Sequence, residues 1–181
     1  MSDTIEISPA TIDDAAWILP LSSRLHDFGP PSWRPRDEMD AAVAAAIEVA
    51  LREPEEGQVV LAARSGDGER LGFIHVHSAV DYFTHETHSH VSDLAITREA
   101  EGRGVGRALM TAAESWASSR GHRLLTLNVF DANHRARRLY ELKAGSLEQV
   151  EHAETEVRNA EAAGEVTLKR GSFRQNTHSQ R

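Results

Sequence analysis

The sequence predicts a single α/β (α+β) domain in which short strands and longer helices share one chain. Three observations carry that expectation. Seven runs show strand patterning and four show helical spacing, each bounded by turn residues. One strand passes into one helix through a glycine-rich turn, Glu101-Gly102-Arg103-Gly104-Val105-Gly106-Arg107. The length of 181 residues suits one core, and a chain of this size buries roughly 70% of its unfolded surface. No repeat and no second domain is visible. The boundaries read as a domain over 1–170 and a disordered tail over 171–181 (Gly-Ser-Phe-Arg-Gln-Asn-Thr-His-Ser-Gln-Arg).

The elements follow in order. Thr4 to Ser8 reads as a short strand. Thr11 to Leu25 reads as a helix with Thr11 as cap and Asp14 in its first turn, and Pro20 kinks or splits it. A loop from His26 to Pro35 carries Phe28, Pro30, Pro31 and Trp33 before an alanine-rich helix, Arg36 to Arg52. Gln58 to Arg64 is a strand, and Ser65-Gly-Asp-Gly68 turns it into the next, Arg70 to Val80. Thr87 to Thr97 follows across Asp81 to Glu86. Val105, Leu109, Ala112 and Trp116 mark the apolar stripe of a helix from Val105 to Ser119. Arg123 to Phe130 is a strand with Leu125, Leu127 and Val129 on one face. A helix from Asp131 to Lys143 begins at a cap, Asp131 or Asn133, and stops before Gly145. Ser146 to His152 and Glu165 to Lys169 read as closing strands around a charged connection.

The glycine turn carries the functional signal. Alternate glycines leave backbone amides uncovered, and the positive end of the following helix lies behind them, which suits a phosphate or pyrophosphate. A plain tight turn is the alternative. A P-loop would need Gly-Lys-Ser/Thr, but Gly106 is followed by Arg107 and Ala108. A G-x-G-x-x-G fingerprint lacks its third glycine, since Leu109 or Arg107 fills that slot. Further on, Asn133 and Tyr140 stand seven residues apart. That spacing puts them on one helical face, roughly 10 Å apart along the axis, where they can line a long thin ligand.

Strand, glycine-rich turn, helix, strand and then Asn-x-x-Ala-x-x-Leu-Tyr-Glu from Asn133 together resemble the GNAT family of N-acetyltransferases. The resemblance is specific over residues 90 to 145 and rests on element order over 4 to 89. It implies a mixed central sheet of about six to seven strands flanked by helices on both faces. It also implies acetyl-CoA as donor and a primary amine as acceptor. Carried over by position, the backbone of Gly102, Arg103, Gly104, Val105, Gly106 and Arg107 would hold the pyrophosphate. The strand edge at Leu94, Ala95 and Ile96 would pair with the pantetheine arm, Asn133 would contact that arm, and Tyr140 would protonate the departing thiolate. Glu101 departs from the family, which usually has Gln or Arg there. Leu142-Lys143-Ala144-Gly145-Ser146 lacks the Phe of the family's Lys-Leu-Gly-Phe.

Acetyl transfer needs a held donor, an uncharged amine, a stabilised oxyanion and a protonated leaving sulfur. A phenol with a pKa near 10 matches a thiolate of similar basicity. Tyr140 reads either as that acid or as a core aromatic beside Leu139. The oxyanion donor is expected to be a backbone amide near Leu94. Candidates for the base are Glu86, His88, His90 and Asp93, with His90 first and Asp93 next. If Val80 pairs with Thr87, His77 faces His90 and His75 faces Ser92, and His75, His77, His88 and His90 share one sheet face. Imidazoles there can collect a proton near neutral pH, fill the sheet as half-buried polar groups, or ligate a transition metal. No metal is expected as cofactor. Arg103, Arg107, Arg135, Arg137 and Arg138 form a group that either meets the cofactor's 3'-phosphate or makes a solvated helix face, with Arg103 or Arg107 expected to contribute and Arg137 and Arg138 read as surface. Phe28 and Trp33 line an acceptor pocket or seal the core.

Composition bounds the rest. The chain has no cysteine, which excludes disulfides, a thiolate nucleophile and zinc-thiolate sites. A net charge of -8 argues against nucleic-acid binding and is compatible with a cationic amine. No apolar run reaches the about 18 residues of a membrane span, and the start Met-Ser-Asp-Thr-Ile has neither a positive region nor an apolar run. A cytoplasmic enzyme acting on a small-molecule or peptide amine, without nucleic acid or membrane, is therefore expected; a homodimer is compatible with the family. The rival from another class is a non-catalytic acyl-CoA-binding sensor on the same fold.

Overall fold

The computed structural model describes residues 4–29, 34–129, 133, 134, 136, 138 and 139, together with the backbone of 130, 147–150 and 165–170. The expected tail over 171–181, the 153–164 connection, Trp33, Arg135, Arg137 and Tyr140 lie outside the described residues.

Seven strands form one sheet. They are β1 (Ile5–Pro9), β2 (Gln58–Ser65), β3 (Arg70–Val80), β4 (Thr87–Ile96), β5 (Leu125–Phe130), β6 (Leu147–Val150) and β7 (Glu165–Arg170). Their order in the sheet is β1-β2-β3-β4-β5-β7-β6. Neighbours run antiparallel except β4 and β5, whose parallel pairing makes the sheet mixed. That one parallel step needs a crossover, supplied by helix α3 (Val105–Ser119).

The other helices are α1 (Ala15–Ser22) and α2 (Arg36–Arg52). The segment expected as one helix from Thr11 to Leu25 is three pieces, because 3-10 turns at Ile12–Asp14 and Ser23–His26 flank α1. Pro20 lies inside α1 and has no amide to donate. Just beyond it, the hydroxyls of Ser22 and Ser23 take the carbonyls of Leu19 and Pro20 at 2.7 and 2.9 Å.

Helices cover both faces. On one, Val105, Leu109, Met110 and Ala113 of α3 pack on Ile74, Val76, Val91, Leu125, Leu127 and Val129. On the other, Ile18 of α1 and Ile47, Ala50 and Leu51 of α2 pack on Val60, Phe73 and Ala95. Each such side chain contributes about 1.5–3 kcal/mol on burial. The stripe of α3 sits slightly round from the expected one: Met110, Ala113 and Ala117 are buried, while Ala112 and Trp116 are half-buried. Trp116 instead carries Arg120 over its ring at 4.7 Å. Gly72 leaves no room for a side chain, since an added Cβ would stand 2.6 Å from the Ala95 carbonyl oxygen.

Candidate active site

The site begins with the register of β3 and β4. Val80 pairs with Thr87 and His77 with His90, but the alignment shifts by one between Val76 and His75. Val91 opposes Val76 and Asp93 opposes His75, so Ser92 is the extra residue of a β-bulge. The expected pairing of His75 with Ser92 is therefore corrected: His75 faces Asp93. The bulge has two effects. It turns Asp93 onto the histidine face, and it bends β4 away from β5.

The bend opens the sheet. β4 meets β5 only through Ser89, His90 and Val91, opposite Leu125, Thr126 and Leu127. Beyond that point β5 continues along β7, and β4 continues along β3 to Ile96. The Thr97 amide donates to the Leu71 carbonyl on the β3 side. Strand alternation then points the backbone N–H and C=O groups of Leu94 and Ile96 the other way, into the opening. Among the described residues, a strand in the middle of the sheet thus presents an edge that pairs with no other strand.

The glycine turn lies at the end of this edge. Gly102 and Gly104 have φ of +75° and +85°, which favours glycine at both positions. Gly104 caps α3, and the first amide of the helix to find a carbonyl is that of Ala108, donating to Gly104 at 3.0 Å. Among the described residues, the amides of Val105, Gly106 and Arg107 find no backbone acceptor. They form the positive end of a fifteen-residue helix. Gly106 is also a packing position, since an added Cβ would stand 2.9 Å from Cδ2 of Leu139.

The charged groups around the turn are arranged in pairs. Arg103 Nη1 lies 3.1 Å from Glu69 Oε2, so this candidate phosphate ligand is engaged with the β2–β3 hairpin. Arg107 is exposed on the first turn of α3, and Arg138 is exposed too. The Glu101 carboxylate is taken by Arg24, Nη2 to Oε1 at 2.6 Å, while Arg24 Nη1 donates to the Ile96 carbonyl. Asn133 Oδ1 accepts from the Ala136 amide at 3.1 Å, the contact of a capping residue, while Asp131 lies outside the described residues.

The histidines gather on the sheet face covered by α1 and α2. His77 and His90 have ring centroids 5.3 Å apart, and His75 and His77 6.3 Å apart. His75 is buried and holds Asp93 Oδ2 at 3.1 Å through Nδ1, with Gln58 Oε1 3.4 Å from Nε2. His77 Nδ1 lies 2.8 Å from Ser92 Oγ. His90 Nδ1 lies 2.8 Å from Thr126 Oγ1, which in turn lies 3.4 Å from the Ser89 carbonyl oxygen. When Thr126 donates to that carbonyl, His90 donates through Nδ1 and keeps a lone pair on Nε2. Burial, and then the neighbouring His77 and His88, push the His90 pKa down to about 4. Burial and His75 lower His77 in the same way. Both rings are neutral at physiological pH.

Glu86 stands apart, exposed in the β3–β4 connection. Nδ1 of His88 is buried without a partner among the described residues. Among those residues no group of three or more His, Asp or Glu stands in metal-holding geometry. Phe28 is half-buried beside the exposed Gly29. Gln58, Ser92, Thr126 and Arg24 were not readable as site residues, because a bulge, a parallel register and a contact 77 residues long in sequence bring them in.

Residues 22–145 match the model of the acetyltransferase (GNAT) family. The chain belongs to the GNAT family. Among curated relatives, the uncharacterized N-acetyltransferase YhfO of Bacillus subtilis is 29% identical over 137 residues, 76% of this chain and 87% of that protein. Among solved structures, PaiA N-acetyltransferase from Thermoplasma acidophilum, in complex with coenzyme A, superposes with a TM-score of 0.68. It is 12% identical over 93% of this chain and 99% of its own. Arabidopsis thaliana NAA60 in complex with a bisubstrate analogue follows at 0.63, with 17% identity over 93% and 98% of the two chains. These likenesses are of fold. The seven-stranded mixed sheet with helices on both faces is the GNAT architecture expected from the sequence. No described helix is long and apolar enough to cross a membrane.

Proposed function

We propose that this GNAT domain is an N-acetyltransferase that moves the acetyl group of acetyl-CoA to a primary amine by direct attack in a ternary complex. The observation that carries the reading is the edge of β4 at Leu94–Ile96, which pairs with no strand on that side among the described residues and leads towards the uncovered amides of Val105, Gly106 and Arg107. An extended pantetheine arm needs the first, and a pyrophosphate needs the second. The curated N-acetyltransferase relative and the coenzyme A complex of the PaiA enzyme support it.

Residue roles follow in this reading. Gly102 to Arg107 bind the pyrophosphate through their backbone. Leu94, Ala95 and Ile96 orient the arm, and the Leu94 amide stabilises the oxyanion that forms when the amine nitrogen attacks the thioester carbon. Asn133 meets the arm. The sulfur leaves with a proton from Tyr140. His90 is the favoured acceptor of the amine's proton and Asp93 the alternative. Asp93 is already paired with His75, whereas the Nε2 of His90 keeps its lone pair in one tautomer. With a pKa near 4, His90 suits the brief passage of a proton through water better than its storage. The acceptor is a small-molecule or peptide amine, and the site is assigned to the cytoplasm.

The test is thiol release from acetyl-CoA over a panel of primary amines, for wild type beside Tyr140→Phe. Amine-dependent release that collapses in the variant is expected. Binding of acetyl-CoA without turnover on any amine would favour a sensor instead.

A further inference from the structure

The structure assigns to Arg24 and Glu101 a joint role: they form a charge-compensating pair that sets how tightly the adjoining turn binds a pyrophosphate. The inference rests on the coenzyme reading above. Glu101 immediately precedes Gly102, so its carboxylate stands at the mouth of a proposed anion site. Alone it would repel the ligand. Arg24 reaches it from the 3-10 turn after α1, 77 residues earlier in the chain, at 2.6 Å. Both side chains are partly shielded, with 20% and 31% of their surfaces exposed, which strengthens the coupling over that of an open surface pair.

The guanidinium also donates to the Ile96 carbonyl. It thereby closes the last carbonyl of the open β4 edge and leaves the Ile96 amide and both backbone groups of Leu94 to the ligand. Asp27, the other carboxylate near Arg24, is shared with Arg36 at 2.9 Å and Arg98 at 3.1 Å. Arg24 is therefore not needed to neutralise Asp27. Its distinctive work is on Glu101 and Ile96, and it acts on the coenzyme through them, as a positioning residue.

The sign of this role is testable by calorimetric titration of the full chain with coenzyme A and with pantetheine, which lacks the pyrophosphate. Arg24→Gln should weaken coenzyme A binding about tenfold or more by exposing Glu101, while Arg24→Lys, which keeps the charge, stays within about threefold. Glu101→Gln should bind as well as wild type or better, and the double variant should return to within about threefold of wild type. Pantetheine binding should be unchanged by Glu101→Gln. A Glu101→Gln variant that loses coenzyme A as Arg24→Gln does would overturn the inference, since a mere brace predicts that outcome. Should Arg24→Gln fail to fold, Glu101→Gln decides it alone: tighter coenzyme A binding with pantetheine unchanged supports the pair, and binding equal to or weaker than wild type overturns it. Wild-type protein that binds coenzyme A while every variant matches it also overturns the pair's role. Wild-type protein that binds none overturns the coenzyme reading itself, and this inference with it.

Discussion

His90 shows how a single side chain links burial to acidity. Its pKa falls from 6.5 to about 4 on folding. Between those two values the unfolded chain binds a proton that the folded chain does not, so stability falls as pH drops from about 6.5 towards 4 and is complete above it. The thermal midpoint should decline across that window, and His90→Gln should flatten the decline; equal slopes for the two proteins would contradict it. Gly72 is the second residue of consequence. A methyl there meets the Ala95 carbonyl at 2.6 Å, a backbone atom that cannot swing aside. Gly72→Ala should cost about 1–3 kcal/mol in urea unfolding and displace the ligand edge of β4. Gly106→Ala meets only the flexible end of Leu139 and gains helix propensity, so it should cost less.

At the scale of elements, the Ser92 bulge decides which side chains share a face. Deleting Ser92 would leave Asp93 opposite His75 and Ala95 opposite Phe73 but remove the bulge, letting β4 run straight beside β5 and closing the opening. That deletion should abolish coenzyme A binding while the core-facing side chains keep their faces, whereas Ser92→Ala, which loses only the hydroxyl near His77 Nδ1, should bind and melt near wild type. A deletion variant that binds normally would show that the bulge has no part in the site. The same bulge marks the limit of sequence reading. Strand and helix periods placed β3, β4, α3 and the face of Leu125, Leu127 and Val129, because local burial fixes them. Parity also grouped His75, His77 and His90. A one-residue insertion leaves that alternation looking continuous, so the pairing of His75 with Asp93 was not legible. Nor was Arg24 beside Glu101, whose meeting depends on how α1 lies over the sheet. Pro20 announced a break in the first helix, but not that α1 would run on to Ser22.

For the whole molecule, net charge sets how substrates arrive. With a formal charge of -8, the protein attracts cations over distances that salt shortens. Under the proposed activity, kcat/KM for a polyamine should fall more steeply between about 0.05 and 0.5 M NaCl than for a zwitterionic amino acid. Parallel salt dependences would exclude electrostatic steering. The sheet itself behaves as two units, β1–β4 and β5–β7, joined by three residue pairs. An open rung within a sheet is also a template on which a stray strand from another chain can nucleate. Arg24, planted on the Ile96 carbonyl, puts a charge where such a strand would have to lie. A charge in that place disfavours self-association, and under the proposed activity a coenzyme lying along the remaining edge would disfavour it further.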